Sequence, residues 1–221
     1  MKLLLNALIK FFSGLIILCL LLFLPAGTWS FPGAWLFLAL LFIPMIFLGL
    51  WLYLKAPELL QKRLKTDEKE KTQRGVVAVS GLAFLASFIA AGLDFRFGWT
   101  HVPRAVVIAA AVIQLASYGM YALVMKQNAY LSRTVEVQEG QKVVDTGLYG
   151  MVRHPMYTAT VLMFLAMPLV LGSWIAFALM LTYPALIVQR IKNEEQVLCA
   201  GLPGYREYRE KVRYRLIPFI W

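Results

Sequence analysis

Long apolar stretches alternate with short polar ones along the whole chain, and the spacing predicts membrane helices. The first stretch, Phe11 to Leu24, ends at Pro25-Ala26-Gly27, and a second opens near Gly33 and continues to Leu54. With an uncharged turn between them they predict a helical hairpin, and Trp29, Trp35 and Trp51 lie near its ends, where amphipathic rings prefer the interface. Lys55 to Arg74 is a charged connector, read either as an interfacial helix beyond Pro57 or as a solvated loop. Val76 to Leu93 predicts a third span, rich in the Ala and Gly that let helices approach closely. A short loop from Asp94 to Pro103 and a fourth span from Arg104 to Met125 follow. The next polar stretch runs from Lys126 to Arg153, and its middle, Arg133 to Val144, alternates as a short strand or hairpin would.

Between Pro155 and Gln189 the chain carries no Asp, Glu, Lys or Arg. As one straight helix this run would measure roughly 50 Å, too long for a bilayer core of about 30 Å. Gly172-Ser173 near its centre predicts a turn, so a fifth and a sixth helix form a tight hairpin, with each arm short and Pro184 kinking the return. The tail from Arg190 breaks at Gly201 to Gly204, resumes as an amphipathic basic piece from Tyr205 to Arg215, and ends in Ile217-Pro218-Phe219-Ile220-Trp221. That piece is expected on the membrane surface or over a pocket.

Composition agrees with the pattern. Of 221 residues, 60% are hydrophobic and 15% charged, and the mean hydropathy is +0.68. This predicts an all-α integral membrane protein of about six helices and excludes an ordinary soluble domain. A net charge of +10 would suggest nucleic acid in a soluble protein, but here the basic residues sit between spans and read as topology signals. With the N-terminus in the cytoplasm, six crossings leave only Arg96 and Arg104 of the 22 Lys and Arg outside, and both termini inside. Lys2 and Lys10 precede the first apolar run as in a signal peptide, yet no clear cleavage site follows Leu24, so the segment is expected to be retained. Cys19, Cys199, His101 and His154 make no metal or disulfide spacing, so no metal is expected. Two parts are expected: residues 1–75, the hairpin and connector, and residues 76–221, the core with its tail.

The candidate chemistry lies at the two feet of the hairpin. Gly147 and Gly150 bracket Leu148-Tyr149 in Gly147 to Tyr157, allowing tight turns and close approach of a ligand to the main chain. His154-Pro155 is a helix start whose free amides, beside Arg153, would suit an anionic group. Taken singly, Arg153 reads as a topology charge, His154 as a cap, Tyr149 and Tyr157 as interfacial anchors, and Glu194-Glu195 as a solvated helix face. Their grouping, beside spans read as free of ionisable side chains, favours a site.

The stretch Gly147 to Tyr157, with the preceding segment from Asn128 to Val144, the hairpin, Arg190 to Glu195 and the tyrosine-rich tail, resembles the isoprenylcysteine carboxyl methyltransferase family and its phospholipid N-methyltransferase relatives. The likeness covers roughly Lys126 to Tyr214, and a small-x-Gly element of some phospholipid relatives has no clear copy. It implies an S-adenosylmethionine site on the cytoplasmic side built by Arg153, His154, Pro155, Tyr157, Glu194 and Glu195, with Gln127, Gly147, Leu148, Tyr149 and Tyr183 as further cofactor contacts. The residue types suit that cofactor: carboxylates for its ammonium or ribose, a base for its carboxylate, and aromatic faces for its sulfonium. Arg190 and Glu194 are expected to act in catalysis, Arg190 by orienting an ionised carboxylate acceptor and Glu194 by taking a proton if the acceptor is an amine. The expected partners are membrane lipids and a lipophilic or lipidated acceptor, not nucleic acid. The alternatives are phospholipid or amine N-methylation, an NADPH-dependent enzyme of the sterol reductase type, and a membrane scaffold.

Overall fold

The computed structural model describes residues 2–65 and 71–221. It has helices α1 (Lys2–Ala26), α2 (Pro32–Lys55), α3 (Pro57–Leu64), α4 (Lys71–Phe97), α5 (Arg104–Gln127), α6 (Pro155–Val170), α7 (Trp174–Met180), α8 (Tyr183–Gly201) and α9 (Tyr205–Lys211). Five stretches are long and apolar enough to cross a membrane: α1, α2, α4 from Gln73, α5, and the arm from Trp174 to Gly201. The remaining expected helix, the fifth, is α6, shorter at 16 residues. The protein is thus an all-α integral membrane protein, and its apolar outer surface, with Ile9, Ile16, Phe47 and Ile108 more than half exposed, suits lipid.

The expected interfacial helix is α3, whose apolar side, Leu59 and Leu60, is buried; the connector's residues 66–70 lie outside the described residues. Among the described residues there is no strand. The alternating stretch from Arg133 to Val144 is irregular instead, because its apolar members pack on helices: Val137 meets α8 at Gly201, and Val143 lies near Gly204 at the start of α9.

The packing explains the small residues. Although α1 and α2 are consecutive, α1 packs mainly along α4. A Cβ at Gly92 would lie 2.7 Å from the Leu22 carbonyl oxygen, so only glycine permits that approach. The hairpin turns at Gly172-Ser173 as expected, and a Cβ on Gly33 of α2 would fall 2.8 Å from the Leu171 carbonyl oxygen beside that turn. The return arm breaks where Pro184 requires it: Pro184 conflicts with the carbonyl four residues earlier, and α7 ends at that residue, Met180. Beyond the break, α8 continues past Gln189 to Gly201, carrying Arg190, Glu194 and Glu195 on the helix rather than in a tail.

One expected loop residue proves to be part of a span. Asp94 lies within the C-terminal part of α4, 1% exposed. One of its oxygens accepts the Thr100 backbone N–H at 2.7 Å, and the other accepts the hydroxyls of Thr100 and Ser173. Ser173 also caps α7 by accepting the Ala176 N–H at 3.0 Å. This knot ties the hairpin turn to α4, and a buried carboxylate persists there because donors surround it. Asp94→Ala should therefore lower the unfolding temperature in detergent by roughly 5–10 °C, the equivalent of about 3 kcal/mol. Asp145→Ala, which removes an exposed pair with Lys211, should leave it unchanged. Equal effects would show that the knot carries no stability.

Candidate functional site

The two feet of the hairpin meet. Pro155 opens α6, and His154 before it has φ −126° and ψ 59°, out of helical geometry as a residue preceding proline should be. The backbone amides of Arg153 and His154, just before the helix, are both occupied. Arg153 and His154 donate their backbone N–H groups to the carbonyls of Tyr214 and Arg215, each at 2.9 Å. The tail runs past this corner as a strap and supplies carbonyl acceptors. The Thr158 hydroxyl adds a bond to the Leu216 carbonyl at 2.8 Å.

Glu195 stands at the centre of the strap. Its Oε1 accepts from Arg153 Nε at 2.7 Å and faces His154 Nε2 at 3.3 Å, and its Oε2 accepts from Arg215 Nε at 3.0 Å. Beside a carboxylate, the His154 proton belongs on Nε2. Arg153 spends another nitrogen, NH1, on the carbonyls of Val212 and Arg213, at 2.7 and 2.8 Å. Glu195, Arg153 and His154 are all nearly fully buried. The three side chains hold the hairpin feet and tail together, through bonds to one another and to Val212, Arg213 and Arg215 of the tail.

Glu194 points elsewhere. One residue along a helix is a turn of about 100°, and this carries the neighbouring carboxylate onto a stripe with Tyr183, Ile187, Arg190 and Leu198. That stripe lines a cavity of about 610 Å³. Across it, the Tyr157 hydroxyl donates to Glu194 Oε2 and accepts from Arg190 Nε at 2.8 Å. Arg190 also lies 5.9 Å from the centre of the Tyr157 ring and donates to the Arg133 carbonyl at 2.8 Å. The cavity has an apolar wall (Leu41, Met45, Phe84, Phe164) and a polar one (Asn128, Ser132, Glu136, Glu194), with the Arg190–Tyr157 pair among its lining residues.

Of the expected site residues, Tyr149, Arg153, His154, Tyr157, Tyr183, Arg190 and Glu194 line this cavity. Gln127, Gly147 and Leu148 instead form a clasp between α5 and the single 3-10 turn Gly147–Gly150. The Leu148 N–H donates to Gln127 Oε1 at 3.1 Å. Gly147, at φ 59°, has the Gln127 amide so near that a Cβ would lie 2.5 Å from Nε2. The close approach anticipated for a ligand is filled by a side chain. Pro155 starts the helix, and Glu195 sits in the buried knot.

The sequence reading did not single out Arg63, Tyr118, Tyr121, Asn128, Tyr205 or Tyr208, which also line the cavity. Tyr118 and Tyr121, three apart on α5, carried a helical-spacing signal that could have been read. Arg63, distant in sequence, carried none. Burial raises the phenol pKa values of Tyr149, Tyr205 and Tyr208, so all three are neutral near pH 7 and serve as hydrogen-bonding groups. The Tyr208 hydroxyl donates to the Tyr149 carbonyl at 2.8 Å, whereas that of Tyr205 is buried with no partner among the described residues.

Glu195→Gln tests the knot. It would leave the buried Arg153 without its counter-charge, so unfolding should become easier by about 3–5 kcal/mol. Trypsin should then cut between Arg206 and Arg215 in the otherwise folded protein. An unaltered melting temperature with a protected tail would show that the pair does not hold the strap.

Residues 106–200 match the model of the isoprenylcysteine carboxyl methyltransferase (ICMT) family. A Delta(14)-sterol reductase of Mus musculus is 33% identical over 91 residues, which are 40% of this chain and 22% of that protein. The match thus spans only about a fifth of the length of that curated relative. The matched segment, residues 106–200, holds the hairpin, the Arg153-His154-Pro155 corner and the Glu194-Glu195 pair.

Proposed function

We propose that the protein is an S-adenosylmethionine-dependent methyltransferase of the membrane, acting on a lipophilic acceptor that carries a carboxylate. The reading rests on the cavity in which Arg190, Tyr157 and Glu194 form one bonded row, within a segment matching a methyltransferase family. The cavity's residues fit the cofactor. Glu194 offers a carboxylate for an ammonium or ribose, and the rings of Tyr149, Tyr157 and Tyr183 suit a sulfonium. A volume of about 610 Å³ suits a cofactor and part of an acceptor.

The bound cofactor supplies an electrophilic methyl group. A carboxylate acceptor is already ionised near pH 7 and needs no base, so the chain's task is alignment and exclusion of water. Arg190 would orient the acceptor's carboxylate. Tyr157, bonded to both Arg190 and Glu194, keeps the acceptor and cofactor positions in register. The apolar wall would take the acceptor's hydrocarbon from the bilayer. With the N-terminus in the cytoplasm, the site opens at the inner leaflet.

A second reading follows from the sterol reductase relative, whose likeness covers part of this chain: the same cavity would hold NADPH. Adding each cofactor separately to the purified protein distinguishes the two. S-Adenosylmethionine at a hundred times its Kd should stabilise the fold by about 2.7 kcal/mol while NADPH does not, and the reverse result would establish the reductase reading. Glu194→Gln should abolish that stabilisation in a protein that still folds; unchanged affinity would remove Glu194 from the site. Arg190→Ala should reduce turnover more than cofactor affinity, whereas equal losses would assign Arg190 to the cofactor. Label transferred from the cofactor to the product should be released by base, as an ester is.

A further inference from the structure

Residues 215–221 close a loop of their own. The Trp221 carbonyl accepts the backbone N–H groups of Arg215, Leu216 and Ile217 at 2.9, 2.9 and 3.1 Å, and the Ile217 carbonyl accepts those of Ile220 and Trp221 at 3.2 and 3.1 Å. The Arg215 guanidinium lies 5.1 Å from the centre of the Trp221 ring. Leu216 is buried in the main core, and Trp221 packs against the same core. With both ends pinned, the loop turns its middle outward: Phe219 is 87% exposed, Ile220 76% and Ile217 48%.

Phe219 is also the one non-glycine residue at positive φ among the described residues, at 66°. A left-handed backbone disfavours a residue that carries a Cβ, and a phenyl ring gains nothing by facing water. Glycine would make the same turn without strain. Strain and exposed apolar side chains at one point call for a covering surface outside the chain.

Three observations say what that surface is. The Thr158 hydroxyl, in the first turn of α6, donates to the Leu216 carbonyl, so the loop is fixed at the level of that turn. The hairpin turn is tied to the far ends of α4 and α2, and the 16 residues of α6 cover about 24 Å of an apolar slab of about 30 Å. The first turn of α6, and the loop bonded to it, therefore lie inside the slab's near edge. Next, residues 205–221 carry Arg206, Arg209, Lys211, Arg213 and Arg215 against Glu207 and Glu210, a balance that suits anionic headgroups above an inserted apolar end. Last, three side chains are too few for a stable protein contact, which buries roughly 1,200 Å² or more, but enough to enter a layer of acyl chains.

We infer that Ile217, Phe219 and Ile220 form a lipid anchor. They insert among the acyl chains of the leaflet at the foot of α6 and hold the strap of residues 212–216 against the knot of Arg153, His154 and Glu195. The anchor stands whichever cofactor the cavity takes.

The test uses the full chain with Cys19→Ser and Cys199→Ser, in nanodiscs of phosphatidylcholine and phosphatidylglycerol. Ile220→Cys carries an NBD fluorophore, and Glu210→Cys, at an exposed position of α9, carries the same label as the aqueous reference. Phosphatidylcholine spin-labelled on its acyl chain should quench the label at 220 several-fold more than the label at 210, and iodide should quench it several-fold less. Equal behaviour of the two labels would overturn the anchor. So would a label at 220 shielded from both quenchers, because protein would then cover it. Phe219→Gly separates anchoring from turn geometry. Glycine relieves the left-handed backbone, so a loop that only turns should keep the strap at least as well protected, with tryptic cleavage after Arg213 and Arg215 no faster than in wild type. An anchor without its ring should release the strap, and that cleavage should rise roughly tenfold in nanodiscs. Phe219→Leu, which keeps an apolar side chain on the same backbone, should be cut at close to the wild-type rate. An unchanged rate in Phe219→Gly would overturn the anchor.

Discussion

A single buried carboxylate holds this structure's working end together. Glu195 accepts from Arg153, faces His154 and accepts from Arg215, so three pieces of chain far apart in sequence converge on one side chain: the foot of α6, the middle of α8 and the tail. Removing such a group from water is costly, and the cost is offset only when every lone pair finds a donor. That requirement fixes the tail. Tyr214 and Arg215 present carbonyls to the amides at the helix start, and Val212 and Arg213 present theirs to the guanidinium.

Because Glu195 is committed in this way, its neighbour can do something else. Adjacent helix positions differ in direction by about 100°, so one Glu-Glu pair serves two environments. Glu195 faces the protein interior, and Glu194 faces the cavity with Arg190, four residues earlier on the same stripe. Tyr157, from the opposite arm, bonds both members of that stripe. The cavity's shape is therefore coupled to the knot behind it: a shift of α8 that disturbed Glu195 would also move Glu194 away from Tyr157.

The membrane helices were legible because burial in lipid writes itself as length and apolarity, and both hairpin breaks, Gly172-Ser173 and Pro184, are backbone rules that act locally. The local rules failed where tertiary partners decide. Arg133 to Val144 alternates like a strand, but its apolar side chains pack on helix ends and its chain takes no ladder partner. The amides of Arg153 and His154, just before α6, are taken by carbonyls of a distant tail, and nothing local announces that tail. Gly147 was correctly read as a point of close approach, but the group that approaches is Gln127, twenty residues away. Asp94 looked like a loop residue because a carboxylate in a span is costly, and the donors that make it tolerable, Thr100 and Ser173, come from two other places.

Those same contacts set the depth of the site. The hairpin turn is tied to the C-terminal end of α4 through Asp94 and Ser173, and it touches the start of α2 at Gly33, so it sits level with the far ends of two full spans. From there α6 has only 16 residues, about 24 Å of helix, to return through an apolar slab of about 30 Å. Its foot, with Arg153 and His154, therefore lies several ångströms inside the near edge of the slab even before tilt is counted. The other arm, from Trp174 to Gly201, has 28 residues and can extend well past that edge. The mismatch opens a hollow beside the short arm, apolar where it faces the membrane and polar where the 126–153 segment and the tail close over it. An ionised corner at that depth is unstable toward lipid unless it is capped, which is why the strap and the buried knot accompany the short helix. The two walls of such a hollow belong to two solvents.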